Sequence, residues 1–400
     1  MIRVIEAAAD NGIVLDDDQK QDLRLAALLH DIGHYPYSHL MEGIDSVTLT
    51  EDLTDSESGR KLIDVSSRRY PKHEVVGRLV VTKQADVRDL IGGENRANRI
   101  SDLFTRSQTA DPQLSKLIHS SLDMDRLDYL LRDSSAAGVP YGHIDINYLL
   151  NSLQVDKAGL LGVSPKAIPA AEQFLFARYF MYRTVYHHKT IHGLEEACRH
   201  LLRRLRDTGD SRLPRDGAEV EALVSSEGLG SFTDAFVDQL VQESVSHENK
   251  VISALARTIS GRRPPKLLKE VVCFARNQET SPSAVAFQKT CEHRLARLAN
   301  DFEIPLGAFI YAETKPLRIE ERGHEITVDE AHELPDENTD ELIRVVEDRT
   351  AKPLVDSDAS LVKFSAQHVF KVIRLFVVYH GNDQAKVVQS LREKVKDWDK

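Results

Sequence analysis

A chain of 400 residues, with 41% hydrophobic and 29% charged residues, is long enough for about two or three soluble domains. The net charge of -11 argues against a general nucleic-acid coat, so nucleic acid is not an expected partner. A local cluster of Arg and Lys would still hold a small anionic substrate.

Three cysteines lie far apart, with no CxxC pair, at Cys198, Cys273 and Cys291. Their spacing argues against a disulfide framework or a Cys-rich zinc site and suits a reducing compartment. No apolar run reaches the ~20 residues needed to span a bilayer, and the first residues lack the layout of a signal peptide. We therefore expect a cytoplasmic protein without a membrane partner.

The first part of the chain is predicted to be helical. Apolar spacing predicts a helix over residues 19–30, which Gly33 and Pro36 interrupt. Further helices are predicted over residues 73–83 and 112–134.

The helical pattern breaks at residues 146–165, where SLQVD and LLGVS flank a Lys-Ala-Gly sequence and predict a small hairpin. A helix is predicted over residues 168–190. Residues 191–300 are again helix-like, apart from a loop at 209–217.

After Pro305 the pattern changes to strand-like segments, predicted within 306–313, 324–328 and 371–380. An acidic run at 329–348 is typical of a solvated loop or helix face. We predict a mainly α protein with a helical core, a small hairpin insertion and a smaller C-terminal α+β region. The predicted divisions are residues 1–190, 191–300 and 301–400.

Three motifs suggest chemistry. The first, LLHDIGHYPYSH at residues 28–39, places His30 and Asp31 at a helix end, followed by His34 and His39. His and Asp are good ligands for Mn, Fe, Zn or Mg, and a helix end can direct adjacent side chains into one cleft. The alternative is a set of surface or capping residues.

The second motif, SLDMDRLDYLLRDS at residues 121–134, has leucines on one helical face and charged residues on the other. Alone, it also fits an ordinary surface helix with ion pairs. The third, FLFARYFMYRTVYHHKT at residues 174–190, holds six of the 24 Phe and Tyr residues within 13 positions. Its Arg and Tyr side chains suit a phosphate chain and a sugar or base, although a core helix is the alternative.

Together these motifs resemble the HD-domain phosphohydrolase superfamily, and most closely its dNTP triphosphohydrolase branch, which includes sterile-alpha-motif/HD-domain dNTPases and bacterial dGTPases. The matching segments are HDIGHYPYSHLME, KHEVVG, LDMDRLDYLLRDS and ARYFMYRTVYHHK, in the family's order over residues 20–190. The resemblance implies an HD-domain core, a divalent or transition metal ion, a dNTP substrate and a homo-oligomer.

The resemblance also implies roles for individual residues. The implied metal ligands are His30, Asp31 and Asp125. The implied catalytic residues are His34, His39, Glu42, His73 and Glu74, with His39 as the general acid and Glu42 orienting it. The implied substrate contacts are Arg126, Tyr129, Asp133, Arg178, Tyr182 and Tyr186.

The implied chemistry is physically coherent. A metal ion and Arg126 with Arg178 would neutralise the triphosphate, and a histidine that titrates near neutral pH could protonate the leaving oxygen. Tyr129 and Asp133 would lie near the sugar 3′-hydroxyl, and Tyr186 would pack against the sugar and disfavour a 2′-hydroxyl. The products would be a deoxynucleoside and triphosphate.

The sequence departs from the family in two places. The family has a further metal-ligating His in an R-x-x-HS-x-G stretch, whereas the first His here is His30. We expect either a shortened chain or a site that binds metal weakly. His187 stands where the dNTPases place Gln against the base, so base preference is open.

A basic segment, GRRPPK at residues 261–266, resembles an effector-binding segment of the regulated relatives. Arg262 and Lys266 would bind the phosphates of a nucleotide effector, and a solvated basic loop is the alternative. Two other functions stay open: phosphohydrolysis of another ester, such as a nucleoside monophosphate, cyclic nucleotide or alarmone, and a catalytically weak nucleotide-binding regulatory module.

Overall fold

The computed structural model describes residues 2–10, 14–45, 49, 69–107, 109–110, 112–118, 122, 124–157, 161–226, 228–276, 281–320 and 342–400. Helices dominate, at 59% against 12% strand, which confirms the predicted mainly α class with small sheets in the C-terminal region. The predicted strand at 324–328 and most of the acidic run at 329–348 lie outside the described residues.

The chain forms two compact units, each built from three segments. The first unit comprises Met1–Ile32, Val81–Tyr186 and Lys315–Val369, and the second comprises Gly33–Val80, His187–Thr314 and Phe370–Lys400. This partition follows spatial contacts, whereas the predicted boundaries at 190 and 300 follow the chain and stay a prediction.

The first unit is a set of helices with one small sheet. Its helices are Ile2–Asp10, Asp17–Leu29, Ala85–Leu90, Glu94–Thr105, Pro112–Ile118, Met124–Ala137, Ile146–Asn151, Ile168–Met181 and Val362–Ser365. Its strands, which we call β1, β2, β5 and β6, are Leu153–Val155, Leu161–Val163, Arg344–Glu347 and Thr350–Pro353.

The second unit packs longer helices against a three-stranded sheet. Its helices are His39–Glu42, His73–Lys83, Lys189–Asp207, Gly217–Ser225, Asp234–Ser244, Lys250–Ser260, Pro282–Asp301 and Gln384–Val395. Its strands, β3, β4 and β7, are Lys266–Arg276, Phe309–Glu313 and His368–Val377, in the order β3-β7-β4.

The helix that leads to the first motif forms for local reasons. Asp16 caps its N-terminus by accepting from the backbone of Gln19, whose side chain accepts from the Asp16 backbone in return. Leu23 and Ala26 are buried on one face, as the apolar spacing predicts. The helix ends at Leu29, so His30 and Asp31 follow its last turn.

Three predictions about elements need correction. The predicted helix at 168–190 ends at Met181 and continues as a π-helical turn, Tyr182–Tyr186, before a new helix begins at Lys189. Within the helix-like region 191–300, residues Lys266–Arg276 form an 11-residue strand. Residues 112–134 contain two helices, Pro112–Ile118 and Met124–Ala137, with residues 119–121 and 123 outside the description.

The predicted hairpin is confirmed. Its strands pair antiparallel as predicted, with Gln154 opposite Gly162. However, β2 also pairs in parallel with β5 through Val163 and Val345, so the hairpin is half of a four-stranded sheet with order β1-β2-β5-β6. The C-terminal α+β region therefore shares its strands with the earlier part of the chain.

Candidate metal centre and histidine cluster

The three predicted metal ligands lie together in the first unit. Asp125 comes from the first turn of the helix Met124–Ala137, and His30 and Asp31 follow the helix Asp17–Leu29. One ligand atom of each residue lies within 4.8 Å of the other two. The structure thus brings residues that are about ninety positions apart in sequence into one potential binding site.

The His30 ring is oriented for ligation. Its Nδ1 lies 2.9 Å from the Ala27 carbonyl oxygen, so it donates there and leaves the Nε2 lone pair on the other side. Nε2 is 3.3 Å from Oδ1 of Asp31. A backbone carbonyl behind a histidine in this way is the usual support of a metal-ligating imidazole, so these residues fit a divalent ion.

The charge at this cluster also favours a cation. Desolvation raises the pKa of Asp125, His30 works against that rise, and the carboxylate of Asp31 adds to it. Two carboxylates so close together repel each other, and a bound cation would relieve this repulsion. The Asp31 side chain is half exposed, which leaves the cluster open to a ligand.

The predicted catalytic histidines cluster in the second unit. His34, His39 and His73 offer ring nitrogens within 4.8 Å of one another. The rings of His34 and His73 stack with centroids 4.0 Å apart, and His39 meets both rings edge-on.

Glu42 connects two of these histidines. Its Oε2 accepts hydrogen bonds from Nδ1 of His39 at 3.0 Å and from Nδ1 of His73 at 3.2 Å. Burial on its own would raise the pKa of Glu42, but these two hydrogen bonds outweigh it and hold the pKa well below its usual range. Glu42 is therefore an anion that fixes both rings with Nε2 directed away from it.

The remaining predicted catalytic residue, Glu74, also lies beside this cluster. Its Oε2 is 3.5 Å from Nδ1 of His73, a longer approach than that of Glu42. The sequence analysis assigned Glu42 to His39 alone, and the structure adds His73 as a second partner.

The predicted substrate contacts lie in the first unit. The π-helical turn presents Tyr182 and Tyr186, whose ring centroids are 4.9 Å apart. Tyr186 donates to Oδ2 of Asp133 at 2.9 Å, and the ring of Tyr129 meets that of Tyr186 edge-on at 6.3 Å. The guanidinium of Arg178 lies over the ring of Tyr182, 5.5 Å from its centroid.

The phenols of Tyr129 and Tyr186 stay protonated. Burial raises the pKa of Tyr129 above its ordinary value, and Tyr182 adds to the rise while Arg126 and Arg178 oppose it. Burial and the hydrogen bond to Asp133 likewise raise the pKa of Tyr186. A neutral phenol can donate a hydrogen bond, and the two arginines supply positive charge beside it.

The predicted effector residues lie at the end of the helix Lys250–Ser260. Arg262 is exposed and has a positive φ of 49°, and Lys266 begins β3 and is half buried. The structure places both residues in the second unit. Their role stays a prediction.

Sequence reasoning missed three acidic residues of interest. Asp234 and Asp238 contact Tyr37, next to the histidine cluster. Glu320 is 2% exposed in the first unit, and its Oε1 accepts the Ile343 N–H at 2.6 Å. Burial raises its pKa to about 8 against the effects of that N–H, Arg178 and Arg344. Each lies far in sequence from its partners, so no local pattern marks it.

Comparison with protein families agrees with this architecture. The HD domain profile matches residues 1–133, and the profile called HD associated region matches residues 144–334. The chain therefore contains an HD domain followed by an HD-associated region. No described helix combines the length and apolar character that crossing a bilayer would require.

Several relatives share part of the sequence. An uncharacterized protein of Mycoplasma genitalium is 30% identical over 190 residues, 46% of this chain and 41% of that protein. The uncharacterized protein YwfO of Bacillus subtilis is 26% identical over 277 residues, 66% of this chain and 56% of that protein. The chain thus spans about half the length of the curated relatives it matches.

Solved structures share the fold more completely. A phosphohydrolase from Bacteroides thetaiotaomicron superposes with a TM-score of 0.64 at 20% sequence identity. The match covers 94% of this chain and 84% of the phosphohydrolase chain. A hypothetical protein from Aquifex aeolicus superposes with a TM-score of 0.63 at 22% sequence identity. The match covers 98% of this chain and 83% of the Aquifex chain. The protein therefore shares the fold of these two structures, and its first part matches an HD domain.

Proposed function

We propose that this protein is a metal-dependent phosphohydrolase that cleaves deoxynucleoside triphosphates into deoxynucleoside and triphosphate. The observation that carries the proposal is the cluster of His30, Asp31 and Asp125, with the His30 ring fixed by a backbone carbonyl. This donor set suits Mn, Fe, Zn or Mg. A divalent ion held there would supply charge neutralisation and Lewis-acid polarisation of a phosphoryl oxygen.

A triphosphate needs several cations and a place for its sugar. Arg126 and Arg178 lie in the same unit as the metal ligands and would bind phosphate oxygens. The Tyr186–Asp133 pair, joined at 2.9 Å, would meet the deoxyribose. A monophosphate would use fewer cations, which is why the triphosphate is the favoured substrate.

The histidine cluster supplies the proton. We assign His39 as the general acid for the leaving 5′-oxygen, because Glu42 holds its Nδ1 and leaves Nε2 for substrate. His39 is the most accessible member, with 56% of its side chain exposed, against 8% for His73. His73 and His34 would hold the phosphate on which the reaction occurs.

Nucleotide activation through Arg262 and Lys266, and assembly into a homo-oligomer, belong to the same proposal. Arg262 is exposed, as an effector contact must be. Added GTP or dGTP is therefore expected to raise the activity.

The test is an assay of the purified 400-residue chain with each dNTP and Mn²⁺, with and without GTP or dGTP. Ion-exchange chromatography then measures triphosphate and deoxynucleoside. We expect both products from the wild type and none from Asp125→Ala, which should also lose bound metal by elemental analysis.

Asp89→Ala is the matched control, because Asp89 is an exposed carboxylate of the same unit, paired only loosely with Arg88 at 3.5 Å. It should keep metal and activity. Equal activity in Asp125→Ala and the wild type would reject the assigned metal site. Release of orthophosphate in place of triphosphate would point to another phosphoester reaction.

A further inference from the structure

The turn that precedes His39 has a strained backbone. Tyr37 and Ser38 have φ angles of 55° and 51°, a region that residues with a side chain seldom adopt. Ser38 N–H donates to the Tyr35 carbonyl at 2.8 Å, and Leu40 N–H donates to the Tyr37 carbonyl at 3.1 Å. Such conformations persist only where surrounding contacts impose them, and they concentrate at functional sites.

Two carboxylates of one helix impose this turn. Oδ1 of Asp234 accepts the backbone N–H of Tyr37 at 2.8 Å, and Oδ1 of Asp238 accepts its phenol O–H. Asp234 lies in the first turn of the helix Asp234–Ser244, where the helix dipole favours negative charge, and Asp238 lies one turn further along. Both ends of Tyr37, main chain and side chain, are thereby tied to the same helix.

The helix that carries these carboxylates is held by other means. Its side chains Val237, Leu240 and Val241 are buried. Asp234 and Asp238 themselves are exposed residues, and both accept hydrogen bonds from Tyr37. Their contacts therefore fix the turn, while apolar packing fixes the helix.

His39 depends on this turn for its direction. It follows the two strained residues directly and begins the short helix His39–Glu42. With 56% of its side chain exposed, burial does not orient it. Its orientation comes from the backbone before it, from the 3.0 Å hydrogen bond to Glu42 and from its edge-on contacts with the rings of His34 and His73.

We propose that Asp234 and Asp238 are positioning residues for His39, acting through Tyr37 to aim the imidazole at the substrate. The inference rests on the proposed role of His39 as general acid. Because the contacts on Tyr37 act through backbone geometry, their loss should affect the chemical step more than substrate binding.

The test compares four variants. Asp234→Ala removes the acceptor for the Tyr37 N–H, and Asp234→Asn keeps an acceptor oxygen. Tyr37→Phe removes the bond to Asp238 and keeps the ring. Gln239→Ala is the control, since Gln239 lies on the same helix and its side-chain amide donates to Glu243 at 2.8 Å.

The first measurement needs no substrate. Long-range ¹H–¹⁵N spectra of protein labelled at histidine report which ring nitrogen carries the proton. The signals of His39 are assigned as those that disappear from the spectrum of the His39→Gln variant. In the wild type, Asp234→Asn and Gln239→Ala, neutral His39 should carry its proton on Nδ1, bonded to Glu42. Asp234→Ala should show a mixture of tautomers.

The second measurement is kinetic. In Asp234→Ala, kcat should fall on the order of 10²-fold while KM stays nearly unchanged. In Asp234→Asn, most of the wild-type kcat should return. The melting temperatures of both variants should stay close to that of the wild type. Unchanged tautomer and kcat in Asp234→Ala would overturn the proposal, as would equal losses in kcat and melting temperature that Asp234→Asn does not rescue. If the wild type cleaves no dNTP, the proposed function fails, and the spectra still decide the positioning role.

Discussion

The ring of Tyr186 is held in place by a hydrogen bond to Asp133 and by two neighbouring tyrosine rings. The phenol donates to Oδ2 of Asp133 at 2.9 Å, and the ring stands edge-on to Tyr182 and Tyr129. In the proposed dNTP complex, a ring fixed on three sides could not move aside for an extra hydroxyl on the sugar. The bulk of the ring, more than its hydroxyl, should therefore exclude ribonucleotides.

We expect Tyr186→Ala and Tyr186→Phe to separate these two effects. For the alanine variant, the ratio of kcat/KM on a ribonucleotide to kcat/KM on the matching deoxynucleotide should rise at least ~10-fold. Loss of the ring opens space for the 2′-hydroxyl. The phenylalanine variant should keep discrimination and show a higher KM, because Asp133 loses its donor. Steady-state kinetics on paired dNTP and NTP substrates measure both. Equal discrimination in all three proteins would contradict the steric role.

The candidate site could be predicted from sequence only where motifs carry it. His30 and Asp31 are marked by their pattern, and Asp125 by a second motif far along the chain, so the family resemblance was needed to join them. The structure does bring these three together. Asp234 could not be predicted, because a single carboxylate at a helix start is a common capping choice and its partner is almost two hundred residues away.

At the scale of elements, the helix His73–Lys83 shows why one residue of the first motif is a glycine. A Cβ added at Gly33 would lie 2.1 Å from both the Gly77 nitrogen and the His73 carbonyl oxygen. Both obstacles are backbone atoms of that helix, so neither can rotate away. The glycine lets the motif's backbone approach the helix that carries His73.

Gly33→Ala should therefore destabilise the protein by at least ~2 kcal/mol, through overpacking against the main chain. Gly230→Ala is the control, because a Cβ there meets nothing within 4 Å. Chemical denaturation monitored by circular dichroism measures both variants. A Gly33→Ala protein as stable as Gly230→Ala would show that the two backbones can separate at little cost.

Helices and strands were predicted correctly where residues close together in sequence determine them. The helix at residues 73–83 forms over the predicted range, and the hairpin strands pair as expected, because local periodicity and turn residues decide both. Strand β3 was missed because Leu267 and Leu268 break the alternation that Val271 and Cys273 follow further along. The pairing of β2 with β5 joins residues far apart in sequence, which no window along the chain can detect.

At the scale of the whole molecule, Glu320 should set part of the dependence of stability on pH. Its pKa rises to about 8 in the folded state, from 4.5. In the unfolded chain it loses its proton above about pH 4.5, while the folded chain keeps it to about pH 8. Stability from this group is thus fully present below pH 4.5 and is lost as pH rises through 8.

Glu320→Gln removes this titration and keeps an oxygen for the Ile343 N–H. Between pH 5 and 8 the free energy of unfolding of the wild type should fall relative to the variant, by on the order of a few kcal/mol. Urea titrations at intervals across this range measure the difference. Parallel stability curves for the two proteins would contradict the assignment.

The division of both units into three segments has a consequence for biosynthesis. The first unit needs Lys315–Val369 and the second needs Phe370–Lys400, so each is completed by residues made long after its first segment. Strand β2 must wait for β5, which is made about 180 residues later. Contacts this distant slow folding, and incomplete chains would expose unpaired strands and apolar helix faces meanwhile. Newly made chains should therefore depend on chaperones until these later segments have been made.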